Sequence, residues 1–206
     1  MKKIRILIAD DHAIVRMGLS SLLGTKKDFE IVGDAEDGET AVRKALKLKP
    51  DVVIMDLMMP NKDGATATAE IHEALPDTKI LILTTFGTSD IISRALHAGA
   101  IGAIMKNSPN AQLVATIRSV AAGTRTISPE IERLIEEDPP AKELTPRQLE
   151  ILDALAKGLS NPEIVSALGI CEDRVKDHIN AIFTKLNATN RTEAVAIAFR
   201  KHLLKI

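Results

Sequence analysis

The 206-residue chain contains neither tryptophan nor tyrosine, four phenylalanines and a single cysteine. With so few aromatic rings, a platform on which the bases of single-stranded nucleic acid stack is not expected. The lone Cys171 rules out an intrachain disulfide and fits a reducing, cytoplasmic compartment. No apolar run approaches the roughly 20 residues of a membrane-spanning helix, so no membrane partner is expected. The opening MKKIRILIADD is basic and then apolar, but the apolar run is too short for a secretory leader and ends on two acids. There is no GxxxxGK loop to cradle phosphates, so nucleotide hydrolysis has no support. Excess charge of one sign is also missing. Residues 1–125 carry 16 basic and 15 acidic side chains, residues 126–143 carry 2 and 6, and residues 144–206 carry 9 and 7.

What is present is 45% hydrophobic and 27% charged, ordinary for a globular chain. The central stretch is 51–60, DVVIMDLMMP. Val52, Val53, Ile54 and Met55 form a short apolar run rich in β-branched residues, the pattern of a strand buried on both faces of a parallel sheet. It stops at Asp56, and Pro60 and Gly64 mark a loop. The opening run Ile4 to Ala9 ends likewise in Asp10-Asp11. Open α/β sheets place their ligands at the carboxyl ends of strands, so three carboxylates are expected to converge there. They repel one another unless a cation joins them, and a few hard oxygen ligands suit Mg²⁺, with Mn²⁺ as the alternative. Run 79–84 ends in Thr84 and run 101–105 is followed by Lys106. A hydroxyl and an ammonium at the same edge suit a tetrahedral anion.

Between these runs lie amphipathic stretches at 12–23 (Val15, Leu19, Leu22), 38–48 (Ala41, Ala45, Leu48), 64–74, 88–98 and 109–122. A further strand is expected at 30–35. Ser108-Pro109 reads as the cap and first-turn proline of the last of these helices. Five strands alternating with five helices predict a doubly wound, five-stranded parallel sheet with right-handed crossovers over residues 1–125. Residues 126–143 read as an acidic linker, partly helical from Ser128-Pro129 and closed by Pro139-Pro140. From 144 the pattern is wholly helical. Thr145-Pro146-Arg147-Gln148 and Ser160-Asn161-Pro162-Glu163 are capping boxes. Gly169 provides a turn before a helix at about 172–186, which buries Val175, Ile179, Ile182 and Leu186, and a last helix follows Asn190. Two helices about a tight glycine turn form a helix-turn-helix, giving a four-helix domain at 144–206.

Asp10-Asp11, Asp56, Thr84 and Lys106, in this order and at these strand ends, resemble the receiver domain of bacterial two-component response regulators. The run LTPRQLEILDALAKGLSNPEIVSALGI, with Val175-Lys176, His178, Lys185-Leu186 and Arg191, resembles the LuxR-type helix-turn-helix. Together they resemble a regulator of the NarL/FixJ type. That resemblance implies a chain that is not itself an enzyme. A cognate sensor histidine kinase would phosphorylate Asp56, Lys106 would pair with the phosphoryl oxygens, and Thr84 would move to hydrogen-bond them. Asp11 would ligate the metal with Asp10 assisting, and Asp56 and the backbone carbonyl of Met58 would complete the set. A homodimer would then bind double-stranded DNA. Lys176, Asp177 and Asn180 occupy base-reading positions by resemblance, and Arg174, Asn161, Lys185 and Arg191 suit phosphates.

The chain departs from its family in places. Receivers often carry an aromatic residue three positions before the lysine, where this chain has Ala103. A small side chain cannot swing between buried and exposed positions, so transmission is expected to run through loop 85–90 and the linker. Cys171 and Arg174 stand where the family usually has Ser and Thr, which weakens a helix cap by about 1 kcal/mol. Asp173 and Asp177 add negative charge near DNA, so binding is expected to be modest and strongly salt-dependent. Two rival readings remain. A metal-dependent aspartyl phosphatase usually has a second acid two residues after the nucleophile, where this chain has Met58. An interaction-only regulator would not bind duplex at all.

Overall fold

The computed structural model of the protein describes residues 2–85, 88–140, 144–201 and 203–204, which fall into two compact units, Met1–Asp138 and Pro139–Ile206. In the first unit the elements run β1 (Ile4–Ala9), α1 (Ala13–Gly24), β2 (Phe29–Ala35), α2 (Gly38–Leu48), β3 (Val52–Met55) and α3 (Gly64–Ala74). They continue with β4 (Lys79–Thr84), α4 (Ser89–His97), β5 (Gly102–Met105), α5 (Asn110–Ala121), β6 (Thr126–Ile127) and α6 (Pro129–Glu137). The sheet is parallel throughout, in the order β2-β1-β3-β4-β5-β6.

Side chains alternate across the sheet because successive residues of a strand point to opposite faces. Leu7, Ala9, Val53, Met55, Ile80, Ile82 and Ala103 pack on one face with apolar residues of α2, α3, α4 and α6. Ile6, Ile8, Val52, Ile54, Leu81, Leu83 and Ile104 pack on the other with those of α1 and α5. Helix starts follow from short acids: the Asp37 carboxylate accepts from Thr40 N–H at 2.7 Å, and that of Asp63 from Thr66 N–H at 2.8 Å.

Three features differ from the sequence reading. A sixth, two-residue strand joins the sheet, with Thr126 N–H donating to Ile101 O and Ser128 N–H to Ala103 O, both at 2.9 Å. Part of the expected linker is therefore built into the first unit. Its helix α6 carries Ile131, Leu134 and Ile135 at i, i+3 and i+4. Ile131 is 0% exposed in the same cluster as Ile91, Ala95 and Ala103. The acids Glu130, Glu132, Glu136 and Glu137 face solvent. Third, Pro109 is itself the N-cap of α5, and no side chain caps that helix. Residues 141–143 of the expected linker, and 86–87 of the expected transmitting loop, lie outside the described residues.

The second unit comprises α7 (Pro146–Ala156), α8 (Asn161–Leu168), α9 (Glu172–Leu186) and α10 (Arg191–Arg200) around Ile151, Leu152, Leu155, Ile164, Val175, Ile182, Ala194 and Ile197. Both capping boxes form: Thr145 N–H donates to Gln148 Oε1 at 3.0 Å, and Ser160 N–H to Glu163 Oε2 at 2.7 Å. Gly169, at φ +65°, makes the left-handed turn between α8 and α9 that a residue with a Cβ adopts only at a cost. Among the described residues no helix is long and apolar enough to cross a membrane.

Candidate acidic site and candidate nucleic-acid interface

Strand register assembles the acidic site. Ala9 pairs with Met55, so Asp10 and Asp56 leave adjacent strands side by side where the strand order switches. Thr84 pairs with Met105, and Lys106 N–H donates to Thr84 O at 2.7 Å, which brings the lysine to the same edge. Asp10 is 1% exposed, Asp56 4% and Thr84 1%. The Asp56 carboxylate accepts from its neighbour Leu57 N–H at 2.8 Å through Oδ1 and from Lys106 Nζ at 3.0 Å through Oδ2. Lys106 Nζ also lies 2.6 Å from Asp10 Oδ2. This short, charge-assisted contact makes Lys106 the partner of both buried acids.

The charges shape one another. Burial pushes the Asp56 carboxyl above the usual carboxylate range; Lys106 opposes this and the nearby Asp10 reinforces it. Burial alone would lower Lys106, but its two carboxylate partners outweigh that and hold it above the ordinary lysine value. The ammonium stays charged between two acids. Loop geometry is fixed by Gly64, whose N–H donates to Leu57 O at 3.0 Å. A Cβ there would collide with the Asp56 carbonyl oxygen, a backbone atom with no freedom to yield.

Two residues absent from the sequence-based site join it. Arg16 donates to the carbonyls of Asp10 at 2.8 Å and Asp11 at 3.2 Å, pinning the turn that carries both acids. His12 donates its backbone N–H to Asp10 Oδ1 at 2.9 Å and sets its Nδ1 2.6 Å from Asp11 Oδ1. Asp10, Asp11, His12 and Asp56 each place a ligand atom within 4.8 Å of the others, a group that could hold a metal ion. The only advance sign of His12 was its place directly after the paired acids. Met58 is exposed in the loop two residues after Asp56, and no hydrogen bond among the described residues is made to its carbonyl.

In the second unit, α9 follows the glycine turn with Arg174, Lys176, Asp177 and Asn180 exposed. Lys176 is paired with Glu172 at 2.8 Å, one turn back, and this neighbour holds it above the ordinary lysine value. Asn161 opens α8 and is partly exposed. Cys171 is the N-cap of α9 and its side chain makes no cap bond.

Arg191 and Lys185, expected to suit phosphates, make hydrogen bonds within the second unit. One guanidinium nitrogen of Arg191 donates to Leu155 O at 2.9 Å and Leu159 O at 2.6 Å, closing the end of α7. Lys185 Nζ donates to Gln148 Oε1 at 2.8 Å. Arg147 works like Arg191, donating to Leu168 O at 2.6 Å at the end of α8. Nothing in the sequence separates a guanidinium that closes a helix from one that faces outward.

Comparison with known proteins places both halves. The model described as response regulator receiver domain matches residues 6–118, and that described as bacterial regulatory proteins, luxR family, matches 142–198. The response regulator protein VraR of Staphylococcus aureus is 39% identical over 207 residues, covering 98% of this chain and 99% of VraR. Among solved structures, the response regulator ChrA of a heme-sensing two-component system is similar with TM-score 0.59 at 36% identity. That match covers 99% of this chain and all of ChrA. The response regulator RcsB, in a complex with DNA, is similar with TM-score 0.69 at 26% identity, over 97% of this chain and 99% of RcsB. The chain thus belongs to the two-component response regulators, with a receiver domain followed by a LuxR-type helix-turn-helix domain.

Proposed function

We propose that this regulator is switched by phosphorylation of Asp56 by a sensor histidine kinase and then binds duplex DNA as a dimer in the cytoplasm. The observation that carries this is the pair of contacts at Lys106. A buried carboxylate that receives a phosphoryl group needs a cation beside it, and Lys106 Nζ stands 3.0 Å from Asp56 Oδ2. In the transfer an Asp56 oxygen bonds to phosphorus, and the bond from phosphorus to the donor histidine nitrogen breaks with its electron pair staying on the imidazole. Lys106 neutralises the phosphoryl oxygens, and the Leu57 N–H orients the carboxylate.

A divalent cation fits the residues present. Asp10 and Asp56 are buried side by side, and the carboxylate-rich donor set suits hard ions such as Mg²⁺. Asp10, Asp11, Asp56 and the Met58 carbonyl would hold it, and the bound ion would offset charge on the transferring group. Thr84, tied to Lys106 through the backbone, would follow the new anion. Ala103 offers no aromatic swing, but it lies fully buried in one cluster with Ile131 of α6. The change at β4 and β5 would therefore reach α6 directly, which favours the 126–137 segment as the transmitting element.

The exposed face of α9 would enter the major groove with Lys176, Asp177 and Asn180 at base edges and Arg174 at phosphate. Asn161 of α8 would contact phosphate as well. Lys176 must exchange Glu172 for DNA, which keeps affinity modest and salt-dependent. Intact mass after incubation with a small phosphodonor and Mg²⁺ tests the switch. A gain of about 80 Da, one phosphoryl group, is expected in the unmodified chain and not in Asp56→Ala. An equal gain in both would refute the assignment. Salt-dependent binding to random duplex separates this reading from an interaction-only regulator.

A further inference from the structure

We propose that Asn61 and Asp37 are positioning residues for phosphoryl transfer: their hydrogen bond latches the loop after Asp56 and so presents the Met58 carbonyl to the cation. This role rests on the metal site proposed above and extends it to residues that touch neither the ion nor the phosphoryl group.

The latch follows from strand order. β1 lies between β2 and β3, so the segments leaving those two strands flank the turn that carries Asp10 and Asp11. Asp37 follows β2 and Asn61 follows β3. Asn61 Nδ2 donates to Asp37 Oδ2 at 2.7 Å, joining the two segments. The other carboxylate oxygen of Asp37 accepts from Thr40 N–H at 2.7 Å, because Asp37 is the N-cap of α2. A helix therefore fixes the acceptor. The Thr40 N–H and the Asn61 amide together hold the Asp37 carboxyl below the usual carboxylate range, which keeps it charged.

The backbone supports the same approach. Asn61 stands at φ +63°, a left-handed conformation that Asn adopts more readily than most residues with a Cβ. Lys62 N–H donates to Pro60 O at 2.7 Å and tightens the turn around it. Gly38, the buried first residue of α2, packs so closely that a Cβ on it would collide with the Lys62 carbonyl oxygen. Lys62 is in turn paired with Glu70 of α3 at 2.6 Å. The side-chain bond and the close backbone approach are independent of each other, and both tie 61–62 to the start of α2.

The chemistry gives the tie a purpose. Leu57 and Met59 are buried, so the core holds the first half of the loop, with Met58 exposed between them. Pro60 and Asn61 are exposed and have no such anchor. A carbonyl ligand has no side-chain torsion with which to correct its aim; the planar peptides on either side set it. Mg²⁺ demands near-ideal octahedral geometry, so its affinity is sensitive to that aim.

The test uses the full chain with MgCl₂ and acetyl phosphate. Asn61→Gly keeps the left-handed turn and removes the amide. The paired exchange Asp37→Asn with Asn61→Asp lets an amide at 37 donate to a carboxylate at 61, with net charge unchanged. Asn caps helices about as well as Asp, so α2 keeps its start. Mg²⁺ affinity is read by calorimetric titration, and phosphorylation by the rate of intact-mass gain across MgCl₂ concentrations. Asn61→Gly is expected to weaken Mg²⁺ about tenfold, the lower end for loss of an outer-shell partner. The half-saturating Mg²⁺ for phosphorylation should rise by the same factor, with the rate at saturating Mg²⁺ within about twofold of the unmodified chain. The paired exchange should recover affinity to within about threefold. A loss below about threefold in Asn61→Gly, with binding abolished by Asp10→Asn, would overturn the latch while the metal site stands. So would a paired exchange that binds Mg²⁺ no better than Asn61→Gly. No Mg²⁺ binding by the unmodified chain would overturn both readings. Metal-free melts supply the remaining contrast: a bond serving the fold alone would lower the melting point and leave Mg²⁺ affinity unchanged.

Discussion

Ile131→Ala tests whether α6 is part of the receiver unit. Ile131 is 0% exposed and packs in the cluster shared with Ile91, Ala95 and Ala103. Truncating a fully buried isoleucine removes its transfer free energy and leaves a cavity, at about 2–5 kcal/mol. Helix α6 has one face in water and can settle inward, so the lower part of that range is expected, roughly 2–4 kcal/mol. For a unit of this size 1 kcal/mol is worth roughly 3 °C, so the melting point should fall by roughly 6–12 °C. Ile131→Val should cost only about 1 kcal/mol. With no tryptophan or tyrosine to follow by fluorescence, calorimetry of the full chain is the suitable assay, and the loss should appear in the receiver transition alone. Glu132→Ala, on the exposed side of the same helix, is the control. A loss below about 0.5 kcal/mol, the scatter of ordinary surface changes, or an equal loss in the control, would refute the placement of α6.

Three further outcomes are expected. Lys106→Met leaves Asp10 and Asp56 without a cation, costing about 2 kcal/mol at neutral pH, less than a fully buried pair because the lysine is partly exposed. Since the Asp56 folded value already lies above its unfolded one, stability should return as pH falls through it; melting points that ignore pH would contradict this. Burial raises Asp63, but the Thr66 N–H and the Arg94 charge outweigh it and hold the carboxyl low. Its contribution is thus present above the unfolded value and lost as pH falls through the folded one. The roughly 1 kcal/mol cost of Asp63→Ala, read by denaturant titration, should shrink below about pH 4. Arg191→Ala should lower the second unit's melting transition by about 2 kcal/mol by releasing two carbonyl bonds. If that transition holds while duplex affinity drops, the residue serves phosphate after all.

The parts of the fold that were legible are those whose signal is repeated. Each central strand is an apolar run closed by a polar residue, and each run's last positions told where Asp10, Asp56, Thr84 and Lys106 would meet. The capping boxes at Thr145 and Ser160 marked their helices because a side chain three residues away answers each cap. Strand β6 was not legible, because two residues carry no period. Helix α6 was legible in part from Ser128-Pro129, but its packing was hidden by its own charge: the acids on its outer face suggested a solvated linker, while Ile131, Leu134 and Ile135 held the opposite face. His12 and Arg16 escaped because their contribution depends on where a turn directs a nitrogen, which no spacing encodes.

The short strand β6 has one more consequence. It pairs with Gly102 and Ala103, the first half of β5. A chain ending at Arg125 would leave GAIM as an outer rim of unpaired amides and carbonyls with no charged residue before Lys106. Such a rim recruits strands from other molecules. Two residues of strand and about two and a half turns of acidic helix thus act as a gatekeeper, and a receiver severed there is expected to self-associate, whereas one carried to Asp138 keeps its rim covered.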